Sequence, residues 1–129
     1  VTWRGETPLV ESWVMYKNTA VAASVNGTAY QVGALSATQK MVAVLRLLAA
    51  PGGAGNNTCD VAVASDTVGF PSTTSRIAFT QLNQASIALF EKKEVSGAIT
   101  DDYWRIEVTI AGAGSRTFSL LVCIGIAKI

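Results

Sequence analysis

The chain of 129 residues contains no histidine. Histidine is the commonest general base near neutral pH, so its absence excludes every catalytic triad that uses it. A glycosidase needs only two carboxylates, but Asp101 and Asp102 face opposite ways if the chain there is extended, and Glu107 stands beside Arg105 in a strand-like pattern. The sequence therefore predicts no catalytic residues and no enzyme activity.

Cysteine is also scarce, with only Cys59 and Cys123, and these two do not form a CxxC pair. Without histidine, two thiols cannot supply the four ligands of a structural zinc site. No short loop gathers the several Asp and Asn side chains of a calcium site. Each cysteine lies in an apolar run, so we expect two small buried side chains, with a disulfide as the alternative. The sequence thus predicts no metal and no cofactor.

Charge and long apolar runs are the other scarce features. Charged residues make up 15% of the chain, against an average of about 25%. The net charge is +1 and no basic run is present, so nothing favours nucleic acid as a partner. No apolar stretch approaches the roughly 18 residues that would suggest a membrane span. A surface short of charge fits a protein with large contacts to other chains.

Alternating patterns near the C-terminus predict β-strands. In the run 105–110, Ile106, Val108 and Ile110 alternate with polar residues, which is typical of a strand with one dry face. The run 116–126 is apolar on both faces, so we expect it to be a central strand. Gly-rich turns punctuate about eight such runs. The sequence therefore predicts an all-β fold, an antiparallel β-sandwich or jelly roll of about eight strands.

Other segments are less decisive. The dipeptide Asn26-Gly27 favours a type I′ hairpin that pairs residues 20–25 with 28–32. The run 40–50 is interpreted as a buried strand, bounded by a Gly-rich loop. The run 83–95 fits a strand or a helix, and the β-rich context favours the strand. We expect one β-sandwich domain over residues 18–129.

Residues 1–17 are predicted to form an extended N-terminal arm. The segment begins without periodicity and carries two of the three tryptophans, Trp3 and Trp13, with Arg4 between them. Large aromatic side chains in an irregular terminal segment need a surface to pack on. One possibility is that both tryptophans fold back over the core of their own domain. The other is that the arm is buried against a neighbouring subunit.

Three further features suggest contact surfaces. The loop 51–57 is Gly-rich but lacks the Lys-Ser/Thr of a phosphate-binding loop. The loop 66–75, which contains Phe70, is long enough to carry a contact. The tripeptide Tyr103-Trp104-Arg105 could stack on a sugar or a protein partner. Its alternative is that Trp104 packs at the edge of the sandwich while Arg105 pairs with a nearby acid.

The stretch 97–110, Gly-Ala-Ile-Thr-Asp-Asp-Tyr-Trp-Arg-Ile-Glu-Val-Thr-Ile, is followed by a Gly turn and a last strand that ends Ile124-Gly125-Ile126. This arrangement resembles the end of small jelly-roll virion proteins of tailed bacteriophages. The segment 25–30 and the corner 50–56 are similar in style. The likeness covers roughly residues 20–129 as a pattern, and the first 17 residues lie outside it.

The resemblance implies a head decoration, or cement, protein. Such a protein is made in the host cytoplasm and binds the outer capsid surface of the virion, commonly as a homotrimer that clamps neighbouring major capsid subunits. On this hypothesis Trp3, Arg4, Trp13, Phe70, Trp104 and Arg105 contact partners, and the two loops face the capsid or a neighbouring subunit. The alternatives are a carbohydrate- or receptor-binding sandwich of a phage fibre or baseplate, and a self-assembling coat or tail subunit.

Overall fold

A computed structural model describes residues 9–87 and 89–129 of the chain. These residues form two antiparallel sheets and confirm the predicted all-β sandwich. The nine strands are β1 Leu9–Val21, β2 Val25–Asn26, β3 Tyr30–Gln31, β4 Gln39–Gly52, β5 Thr58–Asp66, β6 Thr74–Ala78, β7 Phe90–Ser96, β8 Tyr103–Ala111 and β9 Thr117–Lys128. Within these described ranges, no helix is long and apolar enough to cross a membrane.

The first sheet, sheet A, has the strand order β1-β9-β4-β7. Strand β9 pairs with β1 on one side and with β4 on the other, so the prediction of a central C-terminal strand is confirmed. Its side chains at 118, 120, 122, 124 and 126 point into the sandwich and are buried. The intervening side chains lie on the outer face of sheet A, which is the face directed away from the second sheet.

The second sheet, sheet B, has the order β2-β8-β5-β6, and β3 also pairs with β8. The predicted Asn26-Gly27 hairpin is wrong. Strands β2 and β3 run one after the other along the same edge of β8, with the amide of Gly27 donating to the carbonyl of Ile106 at 2.7 Å. Pairing with β8 therefore takes the backbone donors that a local hairpin would use.

The core lies between the two sheets. Its largest fully buried side chains include Trp104, Phe118, Met41, Leu45 and Leu82. The run 40–50 is a buried strand as predicted, because β4 directs one row of side chains into this core. Strand β7 confirms the strand interpretation over residues 90–96, whereas 83–86 form a turn in which the amide of Ser86 donates to the carbonyl of Asn83.

Residues 9–17 of the predicted N-terminal arm, residues 1–17, are part of a strand. Strand β1 begins at Leu9 and pairs with β9 over its whole length, so residues 9–17 belong to sheet A. The backbone hydrogen bonds that β9 offers along its free edge explain why this segment becomes a strand. The predicted arm residues Trp3 and Arg4 lie outside the described residues.

Candidate interaction surfaces

One end of the sandwich is built from two interlocked Gly-rich loops, residues 53–57 and 112–116, which we call the glycine end. The amide of Asn56 donates to the carbonyl of Ala113 at 3.1 Å, and the amide of Ser115 donates to that of Ala54 at 2.8 Å. The backbones approach so closely that a Cβ added to Gly55 would lie 2.5 Å from the Cα of Gly114. Only glycine permits this approach.

Arg116 holds the two loops of the glycine end together. Its guanidinium donates to the carbonyl of Gly55 at 2.9 and 3.2 Å and to that of Gly53 at 3.2 Å. Its amide donates to Oδ1 of Asn57, and the Nδ2 of this buried side chain reaches the carbonyl of Gly112. Arg116 is the only charged residue in the two loops. Apart from the half-buried Arg116, the glycine end thus presents an ordered surface of small, neutral side chains.

The second loop singled out by sequence, 66–75, is organised by Asp66. This carboxylate is 5% exposed and accepts hydrogen bonds from the amides of Thr67 at 2.7 Å and Ser72 at 2.5 Å. The turn between them places Phe70 at a φ of +52°, an uncommon conformation for a large side chain. Val68, at the tip of the turn, is 69% exposed.

The structure brings two predicted contact residues, Phe70 and Arg105, directly together. The Arg105 guanidinium carbon lies 4.1 Å from the centre of the Phe70 ring, which is a cation–π arrangement. The same guanidinium donates to Glu107 at 2.6 and 2.9 Å. Arg105 therefore pairs with a nearby acid, as one of the two sequence interpretations expects, and it anchors the 66–75 loop to the outer face of sheet B.

Trp104 and Trp13, the two tryptophans within the described residues, both pack against the core. Trp104 is 0% exposed, and its Nε1 donates to the carbonyl of Gly33 at 3.0 Å. This burial removes Trp104 from any surface that a partner could touch. Trp13 is half-buried on β1 and packs against the core.

A polar cluster missed by the sequence reasoning closes the end of the sandwich opposite the glycine end. Ser65 donates to Oδ2 of Asp101 at 2.8 Å, and Arg76 donates to Ser65 at 2.8 Å and to Asp101 at 3.0 Å. These bonds from Ser65 and Arg76 lower the pKa of Asp101 below its ordinary value of 3.8. The three residues are too far apart in the sequence for spacing to reveal them. The three side chains satisfy one another's hydrogen-bonding groups, so we interpret the cluster as one that stabilises the fold.

The expectation of two small buried cysteines without a disulfide is confirmed for Cys59 but only in part for Cys123, which is not fully buried. Both are free; Cys59 is fully buried in sheet B, while Cys123 is half-buried on the outer face of sheet A. Burial, with a smaller contribution from Asp60, raises the pKa of Cys59 to about 12. Among the described residues, no three His, Cys, Asp or Glu side chains form a group that could hold a metal ion.

The glycine end and the 66–75 loop lie at opposite ends of the molecule. Strand β5 begins at Thr58, directly after the first glycine-end loop, and ends at Asp66, where the second loop begins. Nine residues of strand span about 30 Å at roughly 3.3 Å per residue. The two loops are therefore separated by about the length of β5.

No model of a protein family matches the chain, and no curated protein does either. Among solved structures, the chain is similar to part of BtGH115A, a family GH115 4-O-methyl-α-glucuronidase with specificity for decorated arabinogalactans. The identity is 9% and the TM-score 0.44, over 100% of this chain and 19% of that chain. It is also similar to the EclA C-terminal domain, a sugar-binding protein, at 12% identity and TM-score 0.35, over 95% of this chain and 81% of that chain. The chain thus spans about a fifth of the length of the glucuronidase, and likenesses this distant carry no argument about activity or ligand.

Proposed function

We propose that this protein is a capsid decoration protein of a tailed bacteriophage, which binds the outer surface of the head as a homotrimer and stabilises contacts between major capsid subunits. The resemblance of the stretch 97–126 to jelly-roll virion proteins supports this proposal. The structural observation that carries it is the ordered, neutral surface of the glycine end.

Order before binding matters because association must offset the entropy of any loop that becomes fixed at the interface. At the glycine end, the backbone bonds and the Arg116 guanidinium have already fixed both loops. The exposed side chains there, Ala54, Asn56, Ala113 and Ser115, carry no charge, so little desolvation opposes contact with another protein. A surface of this kind suits binding to another protein through a large buried contact area.

The separation of the two loops suggests how one copy could stabilise a shell. If the glycine end meets one capsid subunit, the 66–75 loop, about 30 Å away by strand length, is free to meet a neighbouring subunit or a second copy of the chain. Val68 presents an exposed apolar side chain for such a contact. Two modest contacts from one rigid body give an avidity above that of either contact alone.

The test mixes the purified protein with phage heads that lack it and measures co-sedimentation and the heat resistance of the heads. The wild-type chain should bind in a saturable ratio and raise the temperature at which heads release their contents. Ala113→Arg places a charge on the glycine end and should weaken binding about tenfold or more, which corresponds to about 1.4 kcal/mol. Thr109→Arg, on the exposed outer face of sheet B, is the matched control and should bind as wild type.

Light scattering on the free protein completes this experiment. A mass three times that of the chain agrees with the proposal, whereas shells or tubes formed without heads would identify a self-assembling coat or tail subunit. A protein that ignores heads but binds on a glycan array would favour the carbohydrate-binding alternative. Either of these two results would overturn the decoration proposal.

A further inference from the structure

The outer face of sheet A contains an apolar groove of about 290 Å³. Val42 and Val44 alternate along β4 with core residues, so their side chains project away from the core and line this groove. Cys123 and Phe90 line it as well, and Phe90 is 65% exposed. Apolar surface of this kind gains free energy when another apolar group covers it.

Basic side chains surround the groove. Residues directly opposite each other on neighbouring strands share a face, and the strand register places Lys92 opposite Val44 and Arg46 opposite Phe90. The charged side chains that the structure describes on this outer face are Lys17, Lys40, Arg46, Lys92 and Glu94, with a net charge of +3. A partner that covers the groove should therefore be apolar at its centre and acidic around it.

The 66–75 loop has these complementary properties. Val68 is 69% exposed at the tip of the turn. A Cβ added to the adjacent Gly69 would meet no atom within 4 Å, so the tip projects into open space. The charged side chains at and around this loop are those of Asp66, Arg76, Asp101, Asp102, Arg105 and Glu107, with a net charge of −2. The loop thus offers an apolar tip in acidic surroundings.

We propose that the tip of the 66–75 loop of one copy docks into the sheet A groove of a second copy. The opposite net charges of the two surfaces favour this pairing, whereas contact between two sheet A faces would bring together surfaces of the same charge. The groove lies just below the roughly 300–1,000 Å³ of a typical site for a drug-sized ligand, a size that suits one or two side chains such as Val68.

The loop is also ordered before it docks. The Asp66 carboxylate accepts hydrogen bonds from the amides of Thr67 and Ser72, and the Phe70 ring is held by Arg105. Docking therefore loses little conformational entropy in the loop.

The proposed contact joins two different surfaces, so it is heterologous. Heterologous contacts generate a closed ring where the rotation between copies closes, and an open filament where it does not. The inference rests on the proposed function in one respect, because closure after three copies gives the homotrimer proposed there. It deepens that proposal by naming the two surfaces that form each interface.

Self-association of the free protein tests this contact. Light scattering follows the mass over about a hundredfold range of concentration for the wild type, Val68→Ser and Val25→Ser. Val68→Ser should raise the dissociation constant about tenfold or more, which corresponds to about 1.4 kcal/mol. Val25→Ser is the matched control and should associate as the wild type does. Val25 is also exposed, but it pairs with Val108 in sheet B, about 17 Å along β8 from the residue opposite Asp66.

Cys123 reports whether the groove itself is covered, because its thiol lines the groove while Cys59 is fully buried. The rate at which Ellman's reagent modifies Cys123 should fall as the concentration of the wild type rises, and it should stay constant for Val68→Ser. Added salt should weaken the association, because screening reduces the attraction between opposite charges.

A wild type that stays monomeric, or a Val68→Ser variant that associates as tightly as the wild type, would overturn the inference. Association that strengthens with salt would also overturn it, because that result would identify two like-charged sheet A faces as the interface. A mass that grows without limit would mean that the contact does not close into a trimer. Circular dichroism checks that each variant keeps the sheet signal. No heads are present in these measurements, so their failure is distinguishable from a failure of head binding in the co-sedimentation experiment.

Discussion

Replacing Gly55 by alanine tests the close packing of the glycine end. Gly55 has a φ of +105°, and its added Cβ would lie 2.5 Å from the Cα of Gly114 and 2.7 Å from the carbonyl oxygen of Ala113. The matched control is Gly33→Ala, because Gly33 has a φ of +109° and no atom within 4 Å of its added Cβ. Both substitutions impose the same backbone strain, and only Gly55→Ala adds a collision between two backbones.

The expected magnitudes differ accordingly. A left-handed backbone conformation costs an L-residue about 1–2 kcal/mol, and this is the whole loss expected for Gly33→Ala. At Gly55 the loops must also separate, which costs a further 1–3 kcal/mol or so by analogy with overpacked cores. The separation also lengthens the Arg116 hydrogen bonds to Gly53 and Gly55. Gly55→Ala should therefore lower the free energy of unfolding by about 2–5 kcal/mol.

Urea denaturation at 25 °C, followed by circular dichroism, gives both free energies of unfolding from the transition midpoints and slopes. The informative quantity is the difference between the two variants, because the strain shared by both positive-φ sites cancels. Equal losses for Gly33→Ala and Gly55→Ala would refute the close approach of the two loops. That result would also mean that the surface on which the proposed function depends is not ordered before binding.

Two further substitutions test the interior and the polar cluster. Trp104→Phe removes the hydrogen bond to the Gly33 carbonyl and part of a fully buried side chain, so thermal unfolding should show a loss of about 2 kcal/mol; an unchanged midpoint would contradict this burial. Asp101→Asn removes a carboxylate whose bonds from Ser65 and Arg76 lower its pKa, and should cost about 2 kcal/mol near neutral pH. Because the folded pKa is depressed, the stabilisation is present above the ordinary value of 3.8 and is lost as the pH falls through the folded value. Urea titrations at several pH values should therefore show the wild type and the variant converging in acid, and a gap independent of pH would contradict the ion pair.

The sandwich could be predicted because the alternation of apolar and polar residues along a strand indicates which of its faces is buried. Strand β9 is apolar on both faces: Leu120 and Val122 line the core, while Cys123 is half-buried on the outer face of sheet A. The same alternation contained a signal about Trp104. It lies in phase with Ile106 and Val108, so the period-two pattern already assigned it to the core, and treating it as one surface with Tyr103 and Arg105 ignored that phase.

The errors arose where a distant strand decides the local structure. Asn26-Gly27 is a strong hairpin signal by itself, but the exposed edge of β8 offers hydrogen bonds to residues 25–31, and this pairing prevails. The arm boundary failed for the same reason, because β9 recruits residues 9–17 into sheet A. Contacts between Phe70 and Arg105 depend on loop geometry across 35 positions, which no local pattern encodes.

The positions of the two loops constrain any partner of the kind proposed. The backbones of the glycine end are held by Arg116, its only charged residue, whose guanidinium is already hydrogen-bonded to two carbonyls, so a partner can bind there without ordering the loops. The 66–75 loop is held by Asp66 from within and by the stacking of Arg105 on Phe70 from below. Both ends are therefore fixed relative to one rigid sandwich, at a separation of about 30 Å set by the length of β5. A partner that engages both ends must present two sites at that spacing, which is the condition that the proposed binding to two neighbouring capsid subunits imposes, whereas a single small ligand can occupy only one end.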